Sequence, residues 1–287
     1  GPRIVLSYRH AFHAGNPADV LKHAVLVRLI ESLAGKETPF FYLDTHAGAG
    51  LYDLEDTRAS RLREWREGVG RLWDASAVPA PLSGYLRLVR EAQTDPAASR
   101  PRRYPGSPWL VRRLLRPGDR MVLCELHPAD HPALRERFAG DRQVAVHHRD
   151  GYEALRAFLP PAERRGLVLL DPAYEFPGEW ERAAEGLVTA WRRWPTGGLA
   201  LWYPLLAHGA EARLHRSVEE AGLRKVLRVE LRVRPADSPA GMNGSGLLLV
   251  NPPWRLDEEL AQWLPWLRRQ LAPQGQGGES VDWLVPE

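Results

Sequence analysis

Cysteine and long hydrophobic runs are what this sequence has least of. Of its 287 residues only Cys124 is a cysteine, which excludes an internal disulfide and a metal site built from several thiolates. No stretch reaches the roughly 18 to 20 apolar residues of a membrane-spanning helix. The N-terminus also lacks the charged, apolar and cleavable regions of a signal peptide. We therefore expect a cytoplasmic protein in a reducing compartment, with no membrane association.

Lysine is also scarce, and the excess of positive charge is small. Only three of the 39 Lys and Arg residues are lysines, so arginine supplies most of the positive charge and can form bidentate contacts with phosphate groups. The formal net charge is +3 and the isoelectric point is about 9.2. These values favour a nucleic-acid partner only weakly, because a bias in genome composition would produce the same pattern.

Short apolar segments that end in Gly, Pro, Asp or Glu alternate with amphipathic segments along the chain. This alternation predicts an α/β fold with a largely parallel, doubly wound, Rossmann-like sheet and helices on both faces. The predicted strands are Phe40 to Leu43, Met121 to Cys124, Val144 to His147, Leu167 to Leu170, Leu199 to Tyr203, Val226 to Val233, Leu247 to Val250 and a terminal segment from Val281 to Val285.

The segment between the first two predicted strands is far longer than one crossover helix needs. We predict a main domain formed by residues 1–52 and 104–287, and an inserted helical subdomain at residues 53–103. Within the insertion, the apolar residues of the arginine-rich stretch 57–74 recur at helical spacing, which predicts one helix with an apolar stripe and a basic face. That face is either solvated or a contact surface for nucleic acid.

Acidic residues and glycines follow the first three predicted strands. The segment Asp44-Thr45-His46-Ala47-Gly48-Ala49-Gly50 places glycines where α/β sheets bind ligands, but the missing third glycine disfavours a nicotinamide dinucleotide. Glu125 is positioned to accept hydrogen bonds from both hydroxyls of a ribose. Asp150, which precedes Gly151, can accept a hydrogen bond from an adenine amine. Each acid alone is equally well explained as a helix N-cap. The series of three favours a nucleoside cofactor.

The segment Asp171-Pro172-Ala173-Tyr174-Glu175 resembles the (D/N)-P-P-(Y/F) motif of methyltransferases that act on exocyclic amines. The Asp171 carboxylate and the Pro172 carbonyl can accept hydrogen bonds from such an amine and orient it toward a methyl donor. Tyr174 can stack on an extruded base. We therefore predict that Asp171, Pro172 and Tyr174 are catalytic and that no metal is required. Ala173 replaces the usual second proline.

A second copy of the motif, Asn251-Pro252-Pro253-Trp254, fits the consensus better but follows the last strand of the predicted sheet. The D-P-A-Y segment comes after the glycine loop, Glu125 and Asp150, which is the order expected of successive strands in one binding site. Strand order therefore favours Asp171 and makes the second copy a structural turn.

Residues 8–23 combine aromatic, cationic and turn-forming side chains ahead of a predicted helix. One interpretation is a lid that carries Tyr8 and His10 to a substrate base, with Lys22 and His23 near the carboxylate of the cofactor. The other is a capped helix start packed on the core. A zinc site formed by the histidines is disfavoured, because no acidic or cysteine ligand accompanies them at close spacing.

Eight segments together resemble one known family. They are YRHAFHAGNPADVLKH, YLDTHAGAG, YPGSP, ELHP, DGY, DPAYE, LWYP and VNPPW, and they are similar to segments of the RlmJ-type 23S rRNA adenine-N6 methyltransferases. The likeness runs from about Leu6 to the C-terminal VPE.

This resemblance implies a methyltransferase domain with an N-terminal lid motif at residues 1–52 and 104–287, and the small helical insertion at 53–103. It implies transfer of a methyl group from S-adenosylmethionine to N6 of one adenine of 23S rRNA, which can be free of ribosomal protein, and a catalytic role for Asp171. The implied cofactor contacts are His23, His46, Ser107, Glu125, Asp150, Gly151 and Asp171, to which the sequence pattern adds Lys22 and Gly48. The implied substrate and lid positions are Tyr8, His10 and Lys22.

Three alternatives follow from the same residues. A protein-glutamine methyltransferase also presents an amide nitrogen to an (N/D)-P-P-Y motif, here Asn251 to Trp254, but the aromatic and basic N-terminal segment favours a base. A non-catalytic RNA-binding module would not need Asp171, Glu125 and Tyr174. A nicotinamide oxidoreductase would show hydride transfer, and we predict none.

Overall fold

An eight-stranded sheet forms the centre of the protein, as seen in a computed structural model that describes residues 8–239 and 241–287. The first seven residues of the predicted main domain, including Leu6, lie outside the described residues. The described residues form ten strands, of which β2 and β3 pair in a separate ribbon and the other eight form the sheet. In chain order they are β1 (Phe40–Asp44), β2 (Leu51–Asp53), β3 (Arg103–Pro105), β4 (Arg120–Cys124), β5 (Val144–His147), β6 (Arg165–Leu170), β7 (Gly198–Leu206), β8 (Val226–Arg232), β9 (Met242–Val250) and β10 (Gly278–Val285).

Helices cover both faces of this sheet. They are α1 (Pro17–Ala34), α2 (Thr57–Leu62), α3 (Ala80–Glu91), α4 (Ser107–Leu114), α5 (Asp130–Arg137), α6 (Gly151–Phe158), α7 (Glu179–Arg193), α8 (Glu211–Glu220) and α9 (Leu256–Leu271). None of the helices in the described part of the chain has the length and hydropathy that a bilayer crossing requires.

The strand order is β10-β8-β9-β7-β6-β1-β4-β5. Strands β5, β4, β1, β6 and β7 pair in parallel, whereas β9 pairs antiparallel with β7 and β8, and β10 pairs antiparallel with β8. From β1 the chain winds through β4 and β5 on one side and then through β6 and β7 on the other. The winding therefore reverses at β1, and α/β sheets bind ligands at the carboxyl ends of the strands next to such a reversal.

The two faces of the sheet bury separate hydrophobic clusters. Along β1, Phe40 and Tyr42 pack on the side of α1 and α9, whereas Phe41 and Leu43 pack on the side of α6, α7 and α8. This alternation is the period of two expected of a strand that is covered on both faces. The predicted α/β fold is confirmed, and each predicted apolar strand overlaps a strand of the sheet. The short ribbon of β2 and β3 was not predicted, because three residues carry too little pattern.

The prediction of one continuous helix over residues 57–74 is wrong. Helix α2 ends at Leu62, and two 3₁₀ turns follow at Glu64–Arg66 and Val69–Leu72. Arg63 has a left-handed backbone with φ of 51°, which interrupts the helix. Leu62 is therefore 50% exposed, although the apolar residues of the two turns are buried. The division of the chain into a main domain and an inserted subdomain stays a prediction.

Gly68 fixes the turn segment against the loop that precedes α1. A Cβ atom at this position would collide with the carbonyl oxygen of Gly15 and the backbone of Asn16. We expect Gly68→Ala to lower the free energy of unfolding by about 1–3 kcal/mol, because backbone has to move to relieve the collision. Gly278→Ala is the control, since a methyl group at that position would meet no atom within 4 Å beyond its chain neighbours. Urea unfolding should show the control within about 0.5 kcal/mol of the wild type, and equal losses would contradict this packing argument.

Candidate active site

A cavity of about 450 Å³ opens at the carboxyl ends of β1, β4, β5 and β6, within the range of about 300–1,000 Å³ that is usual for small-molecule sites. Every residue that the sequence predicts for the site contributes to its lining: Tyr8, His10, Lys22, His23, His46, Gly48, Ser107, Glu125, Asp150, Gly151, Asp171, Pro172 and Tyr174. The structure thus brings these residues together, while their individual roles stay predictions.

Glu125, which follows β4, is held by backbone groups from two strand ends. Its Oε1 accepts a hydrogen bond from the Gly48 N–H at 2.8 Å, and its Oε2 accepts one from the His127 N–H at 2.8 Å. Each carboxylate oxygen has a further lone pair, so both can still accept hydrogen bonds from a ligand in the cavity. This arrangement fits the predicted recognition of two ribose hydroxyls.

The glycines of the site are required by contacts within the protein. Gly48 has φ of 72°, and a Cβ atom there would collide with the Tyr52 hydroxyl. At Gly151 a Cβ atom would collide with the carbonyl oxygen of Thr45, which links the start of α6 to the end of β1. These glycines therefore allow close approach within the protein itself, and close approach to a ligand stays a prediction.

Asp150 combines a capping role with a position in the cavity. Its Oδ1 accepts from the Tyr152 N–H at 2.9 Å and caps α6, while its Oδ2 accepts from Arg182 at 3.0 Å. The two interpretations offered by the sequence, a helix N-cap and a cavity residue, are therefore compatible in one side chain.

Asp44 is a buried acid at the end of β1 that sequence analysis did not assign to the site. Ser107 Oγ and Tyr42 Oη both donate to its Oδ2, at 2.6 and 2.7 Å. Burial raises the pKa of the Asp44 carboxyl to about 6, although these two hydrogen bonds favour the ionised form. Asp44 ends β1 and begins the glycine segment, and this position in the sequence could have identified it as a site residue.

The raised pKa of Asp44 makes stability depend on pH. In the unfolded chain an aspartate has a pKa of about 3.9, so between that value and about 6 the folded state binds a proton that the unfolded state has lost. The contribution of Asp44 to stability therefore falls as pH rises through this window, by about 3 kcal/mol, and is constant above it. Asp44→Asn removes this dependence. In urea unfolding at several pH values, the free energy of unfolding of the variant should increase relative to that of the wild type as pH rises through this window. A difference between the two proteins that does not change with pH would contradict the raised pKa of Asp44.

The D-P-A-Y segment follows β6 and places Asp171 beside Lys22. Lys22 Nζ donates to Asp171 Oδ2 at 2.6 Å, and it also lies 3.2 Å from Asp19 Oδ1. Burial of Lys22 opposes its charge, but the carboxylates of Asp171 and Asp19 outweigh this effect and raise the pKa of the ammonium. Lys22 is therefore charged in this structure, and its direct partners are these two carboxylates.

Tyr174 is fixed by neighbouring aromatic residues. Its hydroxyl donates to the carbonyl oxygen of Trp202 at 2.8 Å, and its ring lies 4.5 Å from that of Trp180, measured between centroids. The backbone of Tyr174 has φ of 54°, a left-handed conformation that is unusual for a bulky residue and is typical of strained functional turns. The ring is thus held in one orientation at the wall of the cavity.

The segment before α1 both caps the helix and lines the cavity. Asn16 Oδ1 accepts from the Asp19 N–H at 2.9 Å, and Pro17 occupies the first helical position. Tyr8 Oη and His10 Nδ1 are 2.7 Å apart, and His10 Nε2 and Asp19 Oδ2 are 2.5 Å apart. The two interpretations of this segment are again compatible.

The histidines of this region have separate partners. His13 contacts Glu64 at 2.9 Å, and His23 contacts the Tyr104 hydroxyl at 2.6 Å. Burial lowers the pKa of His23 to about 3, so this ring is neutral and offers hydrogen bonds rather than a positive charge. Within residues 8–239 and 241–287, no group of three or more His, Cys, Asp or Glu side chains is arranged to hold a metal ion.

Asp19 and Trp202 are among the lining residues that the sequence did not assign to the site. Asp19 lies in the first turn of α1, where an acid is explained by the helix dipole alone. Trp202 lies in β7, where an aromatic residue is ordinary. The ring of Trp202 is 5.5 Å from Lys22 Nζ, and only the fold brings these elements to one cavity.

The second motif copy lies at the opposite edge of the sheet. Because β9 runs antiparallel to β7, its end at Val250 pairs with Leu199 at the beginning of β7. The Asn251 amide donates to the carbonyl oxygens of Pro195 and Gly197 at 2.8 and 2.9 Å, which closes a turn. Trp254 is 84% exposed. Neither residue lines the cavity of the D-P-A-Y segment.

The fold and the site together define a Rossmann-like methyltransferase. Residues 37–285 match the family described as "Ribosomal RNA large subunit methyltransferase D, RlmJ". The chain is 45% identical to "Ribosomal RNA large subunit methyltransferase J" of Escherichia coli K12, across 99% of this chain and 100% of that protein. It is 42% identical to the protein of the same name from Haemophilus influenzae, with the same coverage.

A solved structure shows the same fold. The protein LPL1258 of Legionella pneumophila is 35% identical, superimposes with a TM-score of 0.86, and is matched over 94% of this chain and 98% of its own. The present chain belongs to the RlmJ family of ribosomal RNA large subunit methyltransferases. The family resemblance inferred from eight sequence segments is confirmed.

Proposed function

We propose that this protein transfers a methyl group from S-adenosylmethionine to N6 of one adenine in 23S rRNA. The observation that carries the proposal is that Asp171 and Pro172 line the same cavity as Glu125 and Asp150, next to the reversal of winding in the sheet. The names of the relatives, ribosomal RNA large subunit methyltransferases, supply the substrate class. We further propose that the substrate is RNA free of ribosomal protein and that the reaction takes place in the cytoplasm.

The cofactor would occupy the part of the cavity formed by the ends of β1, β4 and β5. Glu125 would accept hydrogen bonds from the ribose, since each of its oxygens has a free lone pair beside its backbone partner. Asp150 would accept from the adenine amine. When bound, S-adenosylmethionine supplies an electrophilic methyl group on a positively charged sulfur atom, which becomes a neutral thioether on transfer.

Asp171 and the Pro172 carbonyl would bind the amine of the target adenine. The lone pair of this nitrogen is delocalised into the ring, so acceptors that hold the two N–H groups orient the nitrogen toward the methyl carbon. The amine gains positive charge as the N–C bond forms, and the Asp171 carboxylate stabilises that charge. The same carboxylate is the acceptor in reach for the proton that the methylated amine then loses.

Tyr174 would stack on the adenine after the base is extruded from the RNA. The ring is already held by Trp180 and by the hydrogen bond to Trp202, so stacking costs little further ordering of this side chain. Tyr8 and His10 line the same cavity and would contact the base or its sugar. Extrusion is required because a paired and stacked adenine does not expose N6 to a cavity.

Transfer of tritiated methyl groups tests this proposal. The protein is incubated with labelled S-adenosylmethionine and one of three acceptors: protein-free 23S rRNA from cells that lack such an enzyme, DNA of matched sequence, or total cellular protein. We expect label in the 23S rRNA alone, with stoichiometry approaching one methyl group per molecule. Label in protein would replace this proposal with a glutamine methyltransferase, and binding of cofactor without label in any acceptor would favour a non-catalytic RNA-binding module.

A further inference from the structure

The buried carboxylate of Asp19 and the partly exposed carboxylate of Asp171 share one ammonium at the catalytic end of the cavity. Asp19 is 1% exposed, and its Oδ1 lies 3.2 Å from Lys22 Nζ, which lies 2.6 Å from Asp171 Oδ2. The three groups carry one positive and two negative charges, so the net charge at this position is negative. Without Asp19, the ammonium and the Asp171 carboxylate would cancel.

Cancellation of charge at Asp171 would oppose the proposed reaction. The amine becomes positively charged as it receives the methyl group, and a neutral pair stabilises a cation much less than a net negative group does. An ammonium 2.6 Å from the carboxylate that receives the amine would also repel the developing charge. A counter-charge for Lys22, outside the path of the base, removes this repulsion.

We infer that Asp19 is a positioning residue for methyl transfer, whose buried carboxylate neutralises Lys22 and so leaves the negative charge of Asp171 available to the reacting amine. This inference rests on the proposed function. Asp19 acts through Lys22, and the balance of the reaction is unchanged: the amine gains the methyl group, the sulfonium becomes a thioether, and the amine loses one proton to Asp171.

The surroundings of Asp19 hold its carboxylate in place and in the charged form. Its Oδ2 accepts from the Gly15 N–H at 3.0 Å and contacts His10 Nε2 at 2.5 Å. Burial opposes the charge, but the contacts with His10 and Lys22 outweigh burial and hold the pKa of Asp19 well below its usual value. A carboxylate whose only role was to cap α1 would not need to be buried against two cavity residues, since Asn16 already caps this helix.

A pair of substitutions separates charge from shape. Asp19→Asn keeps the shape and removes the charge, whereas Asp19→Glu keeps the charge and changes the shape. We expect kcat to fall about 100-fold in Asp19→Asn and less than about tenfold in Asp19→Glu. The Kd for S-adenosylmethionine should change by less than about threefold in both variants, because the loss is confined to the transition state.

Asp119→Asn is the matched control. Asp119 is also a buried, ion-paired aspartate, but it contacts Arg116 and the Phe40 N–H at the amino end of β1, away from the cavity. Its loss is expected to lower the melting temperature and to leave kcat within about twofold of the wild type. A fall of kcat in this control equal to that in Asp19→Asn would show that lost stability explains both, and would overturn the inference.

The protonation of Lys22 can be measured directly, and it would not change if Asp19 had only a structural role. The chain has only three lysines, so the Nζ signals of ¹⁵N-lysine-labelled protein can be assigned with Lys36→Arg and Lys225→Arg variants. Because Asp19 helps to raise the pKa of Lys22, we expect Lys22 to lose its proton at lower pH in Asp19→Asn than in the wild type. An unchanged Lys22 titration would overturn the inference.

The outcomes also separate this inference from the proposed function. If the wild type does not methylate 23S rRNA, the proposed function fails, and the lysine titration still reports whether Asp19 controls the charge of Lys22. If the wild type methylates the RNA and Asp19→Asn retains kcat within about threefold, the proposed function stands and the role of Asp19 is wrong.

Discussion

Replacement of Asp171 by alanine should reduce kcat by at least about 1,000-fold, with a change of less than about threefold in the Kd for S-adenosylmethionine. The expected loss is large because the variant removes both the acceptor for the amine and the charge that stabilises it. Lys22, which donates to Asp171 at 2.6 Å, would then lie in the cavity without its main partner and repel the developing cation. Single-turnover methylation and calorimetric titration of the cofactor measure the two quantities separately.

Asn251→Ala is the matched control for this experiment. Asn251 occupies the equivalent position in the second motif copy, where its amide closes a turn on Pro195 and Gly197. We expect a modest loss of stability and an unchanged kcat. Equal losses of activity and cofactor affinity in Asp171→Ala would contradict the assigned role of Asp171, and a large loss of kcat in Asn251→Ala would move the catalytic assignment to the second copy.

Glu125→Gln should weaken S-adenosylmethionine binding by about 10- to 100-fold, while kcat at saturating cofactor stays within about threefold of the wild type. Each carboxylate oxygen of Glu125 accepts a hydrogen bond from a backbone N–H group, one from Gly48 and one from His127. An amide in this place turns an NH₂ group toward one of these donors, which leaves a donor facing a donor. It also removes the charge-assisted hydrogen bond to one ribose hydroxyl.

Glu163→Gln is the control for the loss of a glutamate near β4. Glu163 accepts from Arg120 at the amino end of this strand, on the edge of the sheet away from the cavity, so cofactor affinity should not change. Calorimetric titration of both variants is the measurement. Unchanged affinity in Glu125→Gln would show that the ribose is recognised elsewhere in the cavity.

The part of the site that the sequence could predict lies at strand ends. In a parallel sheet the carboxyl ends of neighbouring strands meet at one edge, so Glu125, Asp150 and Asp171, which follow three predicted strands, were expected to meet. Position in the sheet also separates the two motif copies. Pattern alone favours Asn251, but the antiparallel direction of β9 places it at the opposite edge from Asp171.

The contacts between distant elements could not be predicted. The charge network of Lys22, Asp19 and Asp171 joins α1 to the loop after β6, and no local pattern encodes a distance between them. The interruption after α2 was also hidden, because helical spacing of apolar residues does not show that Gly68 must lie against Gly15 and Asn16. In both cases tertiary packing outweighs local propensity.

Identification of the methylated nucleoside tests the central claim most directly. After the protein reacts with protein-free 23S rRNA, the RNA is digested to nucleosides, analysed by mass spectrometry and mapped by fragment. N6-methyladenosine at one position, formed by the wild type and lost in Asp171→Ala, is the predicted result. A methyl group on another atom or another base would contradict the account, because Asp171 and Pro172 are assigned as acceptors for the N–H groups of an exocyclic amine.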